Sequence, residues 1–207
     1  MCIGVRPEGL DLWKFRNISY DEADDISFLS IEIISQISDG WTFRTIPLTT
    51  RLPVAGETVT IVGFRFAAEL EFDETGLTSP AGGDLYAASG EVLAVHYPYR
   101  DSVMVHYPAI EIACGSLGAM SGGAIFDQDG FMLGTISTGV TSDEGDGPTY
   151  ASWIVQGLSR PLTIPWPPGL YPQPVAMAAI PEGLLILEGR EHVQLNGTMA
   201  EYRIWTK

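Results

Sequence analysis

Gly118-Ala119-Met120-Ser121-Gly122-Gly123-Ala124-Ile125-Phe126 is the most specific stretch of this 207-residue chain. It runs into Asp127-Gln128-Asp129-Gly130 and then a second apolar run, residues 131–136. Two short apolar runs around an Asp-Gly turn predict a β-hairpin. A serine held in a glycine-rich turn just before a buried strand exposes its hydroxyl. The same turn can aim backbone N–H groups at one point. Acyl transfer needs both, a nucleophile and a hole for the oxyanion it creates. Taken alone, Ser-Gly-Gly also fits a plain turn.

Working outward, the chain keeps to short strands between turn signals. Residues 26–34 are apolar and β-branched. Gly56-Glu57 opens a run at 58–64, Gly90 precedes a strand at 91–95, and 102–107 follows a turn at 99–101. This pattern predicts an all-β sandwich or barrel. The single helix candidate is 150–158. Residues 66–84 carry Glu69, Glu71, Asp73 and Glu74 and read as a long acidic surface loop. Seven of the 14 prolines lie between Pro161 and Pro181, which predicts an extended linker or a strap over a surface. Beyond it, 184–187 reads as a strand. Asn196-Gly197 reads as the two-residue turn of a last hairpin, because both central positions need positive φ.

Three blocks together resemble the chymotrypsin/trypsin-like serine peptidases, particularly the bacterial trypsin-like peptidase domain. The first is the Ser-Gly-Gly turn with its Asp-Gly hairpin. The second is Asp25-Ile26-Ser27-Phe28-Leu29, similar to the family strand whose aspartate orients the catalytic histidine. The third is Ile46-Pro47-Leu48 with Leu52-Pro53, Gly56-Glu57, Val59 and Ile61-Val62-Gly63-Phe64, similar to the segment entering the second barrel. Their order and spacing agree with the family over about residues 12–158. The resemblance implies an all-β, trypsin-like double β-barrel with an incomplete N-terminal barrel. It also implies a division into residues 1–50 (remnant of the first barrel), 51–163 (second barrel) and 164–207 (Pro-rich extension with hairpin).

Carried over by position, the resemblance implies Ser121 as nucleophile and Asp25 as the orienting carboxylate, with Asp24 as its rival. The N–H groups of Ala119 and Ser121 would form the oxyanion hole. Ser137, Thr138 and Gly139 would be the edge that pairs with substrate backbone as an added strand. The implied activity is serine endopeptidase chemistry on a polypeptide, with no cofactor and no metal.

The departures bear on that activity. The family order is His, Asp, Ser, yet His96, His106 and His192 all follow Asp25. The histidine segment is expected upstream of Met1. Without an imidazole to take its proton, Ser121 is an ordinary alcohol. His96-Tyr97-Pro98 and His106-Tyr107-Pro108 repeat a tripeptide at strand ends, which suits a capping or surface role, and His192 is expected at the surface. Ala119 stands where the family has Gly, so this peptide is less free to adopt its geometry. Met120 replaces the acid that pairs with a newly cut N-terminus in digestive relatives. Residues 114–120 contain no acid, which predicts a small or apolar rather than basic substrate preference. The alternative reading is a non-catalytic, peptidase-like module that binds peptides or a protein partner.

Composition removes other classes. Twenty-six acidic against 11 basic residues give a net charge of −15. That argues against nucleic acid, whose binding needs a basic face, and against anionic membranes. No apolar run reaches a membrane span, and the first residues lack a signal-peptide layout. The compartment is therefore left open. Cys2 and Cys114 are expected as two buried thiols. Asp143-Glu144-Gly145-Asp146-Gly147 lacks the ligand spacing of a calcium loop and reads as a solvated acidic loop.

Overall fold

A computed structural model gives the structure. It describes residues 2–6, 9–36, 44–66, 72–73, 76–77, 83–140, 147–165, 167–197 and 199–207. The N-terminal strands are β1 (Cys2–Arg6), β2 (Gly9–Asp21) and β3 (Ile26–Ile33). They form a separate three-stranded antiparallel sheet in the order β1-β2-β3.

The larger sheet uses β4 (Leu48–Thr49), β5 (Thr58–Phe66), β8 (Gly83–His96), β9 (Ala109–Ile112), β10 (Ala124–Phe126), β11 (Met132–Gly139) and β12 (Thr149–Trp153). Between β5 and β8 lie two short paired strands, β6 (Phe72–Asp73) and β7 (Gly76–Leu77). The order β10-β5-β8-β9-β12-β11, with β10 also pairing β11, closes a six-stranded barrel. Alternate residues point inward on each strand. Val59, Ile61, Val92, Ile110, Ile112, Ile125, Leu133, Ile136 and Trp153 therefore meet in one core.

The C-terminal part packs on that barrel. A short helix, α1 (Ile154–Ser159), is followed by β13 (Pro161–Leu162), β14 (Val175–Ala176), β15 (Leu187–Glu188), β16 (Val193–Asn196) and β17 (Met199–Tyr202). β15 extends the barrel sheet through β4. Leu158, Ala176, Ala178, Leu185, Leu187 and Ala200 bury a second cluster. The expected hairpin exists, but Asn196 pairs with Met199. The turn therefore sits one residue later than Asn196-Gly197, with Gly197 at φ 64.

The expected all-β class holds, with local differences. β8 does not start after Gly90 but runs through it from Gly83 to His96. Gly90 answers to a close approach instead, since a Cβ there would meet the Ala113 carbonyl oxygen at 2.6 Å. Residues 102–107 are not a strand. The Asp101 side chain accepts the N–H groups of Val103 (2.8 Å) and Met104 (2.6 Å), which diverts the backbone from a ladder. These bonds hold the half-buried Asp101 carboxyl down at about 2. The first half of 150–158 is strand, because Tyr150 to Trp153 are buried on both faces between β9 and β11. The strand expected at 184–187 is reduced to β15. The acidic stretch 66–84 contains β6, β7 and the start of β8, with its remaining residues outside the description. So is most of the acidic loop at 143–147.

The two blocks that enter and leave the glycine turn are tied by charge. Arg51, 2% exposed, donates to both carboxylate oxygens of Glu57, and to Asp127 Oδ2 at 3.0 Å. Asp127 Oδ1 in turn accepts the N–H groups of Asp129 (3.0 Å) and Phe131 (2.9 Å), which shapes the hairpin turn. Those acceptors hold the guanidinium charged by raising its pKa against burial.

Candidate active site

Ser121 lies in the turn between the core and β10. Below it Met120, 1% exposed, is driven into the barrel. There a Cβ on Gly63 would meet Met120 carbons at 3.0 Å, so the β5 glycine makes room for the methionine. The turn bends through two positive φ angles, 71° at Ala119 and 87° at Gly122. For Ala119 that is strained backbone, which costs an L-residue about 1–2 kcal/mol. The N–H groups of Met120, Gly122 and Gly123 bond to Leu117, Ile136 and Met120 carbonyls. Among the described residues no acceptor meets the N–H of Ala119 or of Ser121.

The Ser121 side chain is exposed, and its hydroxyl donates to the Ser137 carbonyl oxygen at 2.9 Å. Ser137 sits on β11, beyond the part that pairs with β10, which ends at Thr135. Thr138 and Gly139 pair on the other side with Tyr150 and Thr149. The β11 edge next to Ser121 thus has no strand neighbour at 138–139 among the described residues.

Asp25 ends the β2–β3 turn at φ 50. The Ser137 hydroxyl donates to its Oδ2, and the Tyr107 hydroxyl bonds to the Ser137 hydroxyl. Ser137 therefore touches both Ser121, through its carbonyl, and Asp25, through its side chain. Asp24 goes elsewhere: it is 6% exposed and bonds both oxygens to Arg160 Nη1 at 3.1 Å. Burial pushes the Asp24 carboxyl up, against the Arg160 charge and the Ile26 N–H. Arg160 also donates to the Ile26 carbonyl at 2.9 Å and lies over the Phe28 ring at 5.4 Å. It clamps the sheet to the barrel.

The histidines are placed apart from this group. His96 Nε2 meets Glu111 at 2.7 Å, and Tyr150 donates to the other Glu111 oxygen at 3.2 Å. His106 is exposed and stands edge-on to Tyr107, with ring centroids 5.5 Å apart. His192 is only half-exposed and stacks on Trp205 at 4.9 Å. None of the three contacts Ser121 or Asp25 among the described residues.

Beside Ser121, room for a side chain is limited. A Cβ on Gly139 would lie 2.5 Å from Ser116 Oγ, and Thr149 Oγ1 donates to the Cys114 carbonyl at 2.7 Å. Cys114 is a half-buried free thiol whose pKa burial raises, so it is a poor nucleophile. The Cys2 side chain lies outside the description. Among the described residues no three His, Cys, Asp or Glu side chains gather as metal ligands.

Tyr107 and Arg160 carry this geometry without standing out in the sequence. The repeated His-Tyr-Pro was the available signal, but it does not separate the exposed Tyr97 from the buried Tyr107.

The comparisons agree with the blocks read from sequence. The family model of the trypsin-like peptidase domain matches residues 10–134. The chain belongs to that family. No curated protein matches it in sequence. Among solved structures it is similar to the MamO protease domain of Magnetospirillum magneticum, at 12% identity and TM-score 0.46, over 73% of this chain and 69% of that one. It is similar to Rv3671c of M. tuberculosis, an inactive serine-to-alanine mutant, at 14% identity and TM-score 0.45, over 71% and 62%. It is also similar to a mutant of human heparin binding protein, at 14% identity and TM-score 0.48, over 72% and 65%. In the last two the match spans less than two thirds of the neighbour.

Proposed function

We propose that Ser121 is the nucleophile position of a serine-endopeptidase centre whose base is not among these 207 residues. In this reading Asp25 is the carboxylate that would orient and steady an imidazolium. The unclaimed N–H groups of Ala119 and Ser121 receive the oxyanion. The open β11 edge at Ser137, Thr138 and Gly139 takes an extended polypeptide as an added strand. Residues 1–50, 51–163 and 164–207 act as first-barrel remnant, second barrel and extension.

One observation carries the reading. Among the described residues no acceptor takes the N–H of Ala119 or Ser121, while those of Met120, Gly122 and Gly123 are bonded, and the exposed Ser121 hydroxyl is tied through Ser137 to Asp25. With the Ser121 proton given to a carbonyl rather than a base, the chain alone does not hydrolyse peptides.

Turnover of a fluorogenic peptide library with and without added imidazole is the test. We expect no turnover above Ser121→Ala without imidazole. With imidazole we expect a Ser121-dependent rise of roughly 10²-fold or more, the scale of general-base catalysis. Turnover that survives Ser121→Ala would sink the proposal. A second reading, a module that binds extended peptides without cleaving them, is favoured by the same open edge. Saturable peptide binding with no imidazole effect would select it.

A further inference from the structure

The chain has two asparagines, Asn17 and Asn196, and the fold treats them oppositely. An asparagine can lose its amide without an enzyme. The backbone nitrogen of the next residue attacks the side-chain amide carbon, since the two are already held within reach of a five-membered ring. The attack needs a following N–H that no acceptor holds. It needs a side-chain amide free to turn onto the backbone. It also needs a next residue that does not shield its own nitrogen.

Asn196 meets all of these. It ends β16 and is exposed, as are Leu195 before it and Gly197 after it. It pairs with Met199, so Gly197 lies in the turn and not in the ladder. Among the described residues no acceptor takes the Gly197 N–H, and the Asn196 amide makes no hydrogen bond. Gly197 carries no side chain, and even a Cβ placed there would have nothing within 4 Å. Its φ of 64° is one that glycine adopts at little cost, so the turn favours the residue that leaves the nitrogen bare.

Asn17 is the opposite case. It is half-buried on β2 and pairs with Ser30 of β3. Its Nδ2 donates to the Thr163 carbonyl at 3.0 Å, which occupies the amide. Ile18 follows, and its stiff β-branched side chain crowds the nitrogen. Asp129-Gly130, open to the same ring closure, is guarded too. The Gly130 N–H bonds to the Asp127 carbonyl at 3.1 Å, and Lys207 holds the Asp129 carboxylate.

We propose that Asn196 is a self-modification site, which deamidates through a succinimide and leaves aspartate and isoaspartate at the tip of the last hairpin. Hydroxide takes the Gly197 amide proton, and the nitrogen bonds to Asn196 Cγ. The Cγ–Nδ2 bond breaks, and ammonia leaves with a proton from water. Water then opens the ring. Opening at Cγ restores the backbone as aspartate. Opening at the backbone carbonyl routes the chain through Cγ as isoaspartate. Either product adds a negative charge to the −15 already present. Isoaspartate also lengthens the backbone by one carbon where Asn196 pairs with Met199, which breaks that rung. The site is independent of the peptidase reading.

Ageing the full chain in warm, mildly alkaline buffer, with peptide mapping by mass spectrometry, is the test. Asn196 should convert from amide to acid at least about tenfold faster than Asn17. A share of the product should accept methyl groups from an isoaspartyl methyltransferase. The rate should rise with pH, because the attacking nitrogen must first lose its proton. Because the fold leaves the site open, the folded rate should lie within about fivefold of the rate in urea. Amides of Leu195 and Met199 should exchange faster in the isoaspartate form, while those of β5 and β11 should not.

An Asn196 that outlasts Asn17 would overturn the proposal. So would a folded rate far below that in urea, which would mean that the hairpin guards the site. Gly197→Ala should slow the loss by shielding the nitrogen. If that variant misfolds, Asn196→Gln decides, because its side chain must close a six-membered ring and should stay intact over the same time. Equal loss in either variant would contradict attack by the Gly197 nitrogen. None of these readouts involves Ser121, so failure of the peptidase reading leaves this one standing.

Discussion

The barrel and the N-terminal sheet solve the same problem differently. Six strands of the barrel close on themselves, so every strand has two neighbours and the inward faces share one core. The sheet has three strands and two edges with no neighbour among the described residues. Its register puts Tyr20 opposite Ser27, Ile18 opposite Leu29 and Phe15 opposite Ile31 on one face. Ile18 is 57% exposed and Leu29 46%, although both are apolar. On the other face Ile26 and Phe28 lie against Gly157 of α1, where a Cβ would meet the Phe28 ring at 2.9 Å. The barrel is stabilised by burial. The sheet is held by one packed face and a few polar ties at one end. The candidate site straddles the seam, with Ser121 on the barrel side and Asp25 on the sheet side.

Breaking the barrel should cost the most. Arg51→Ala leaves Glu57 and the buried Asp127 without their cation, a loss of about 3–5 kcal/mol in a urea melt, seen at once by every probe. Arg160→Ala should act on the sheet alone. It strands the buried Asp24 and frees Ile26, costing about 2 kcal/mol once its partial exposure is allowed for. Hydrogen exchange checks this: β3 amides should exchange faster by tenfold or more while those of β5 and β11 keep their rates. Equal acceleration in both would mean that the sheet and barrel are one cooperative unit. Ala119→Gly should gain about 1 kcal/mol by relieving the left-handed alanine, read as a higher thermal midpoint. Leu29→Ala should change stability by less than about 0.5 kcal/mol. A cost of several kcal/mol there would show that the face is covered in solution.

Much of the barrel was legible because its signals are local. The Ser-Gly-Gly turn, the Asp-Gly hairpin and the Gly56-Glu57 entry each announce themselves within a few residues, and Arg51 joins two of them. The strand errors arise where tertiary contact overrode a local signal. Gly90 looked like a strand start but serves a close approach to Ala113. Tyr150 to Trp153 looked helical but are sandwiched between strands. In the site, Ser121 and Asp25 stood in recognisable blocks. Tyr107 and Arg160 did not, because their partners lie 30 and 136 residues away, and no short window holds both ends of such a bond.

The central claim is that Ser121 is poised like a nucleophile yet lacks a base, and labelling with a fluorophosphonate probe tests it most directly. The account predicts that the chain labels no faster than its Ser121→Ala variant. Rapid stoichiometric labelling of Ser121, abolished by His106→Ala or His96→Ala, would contradict it.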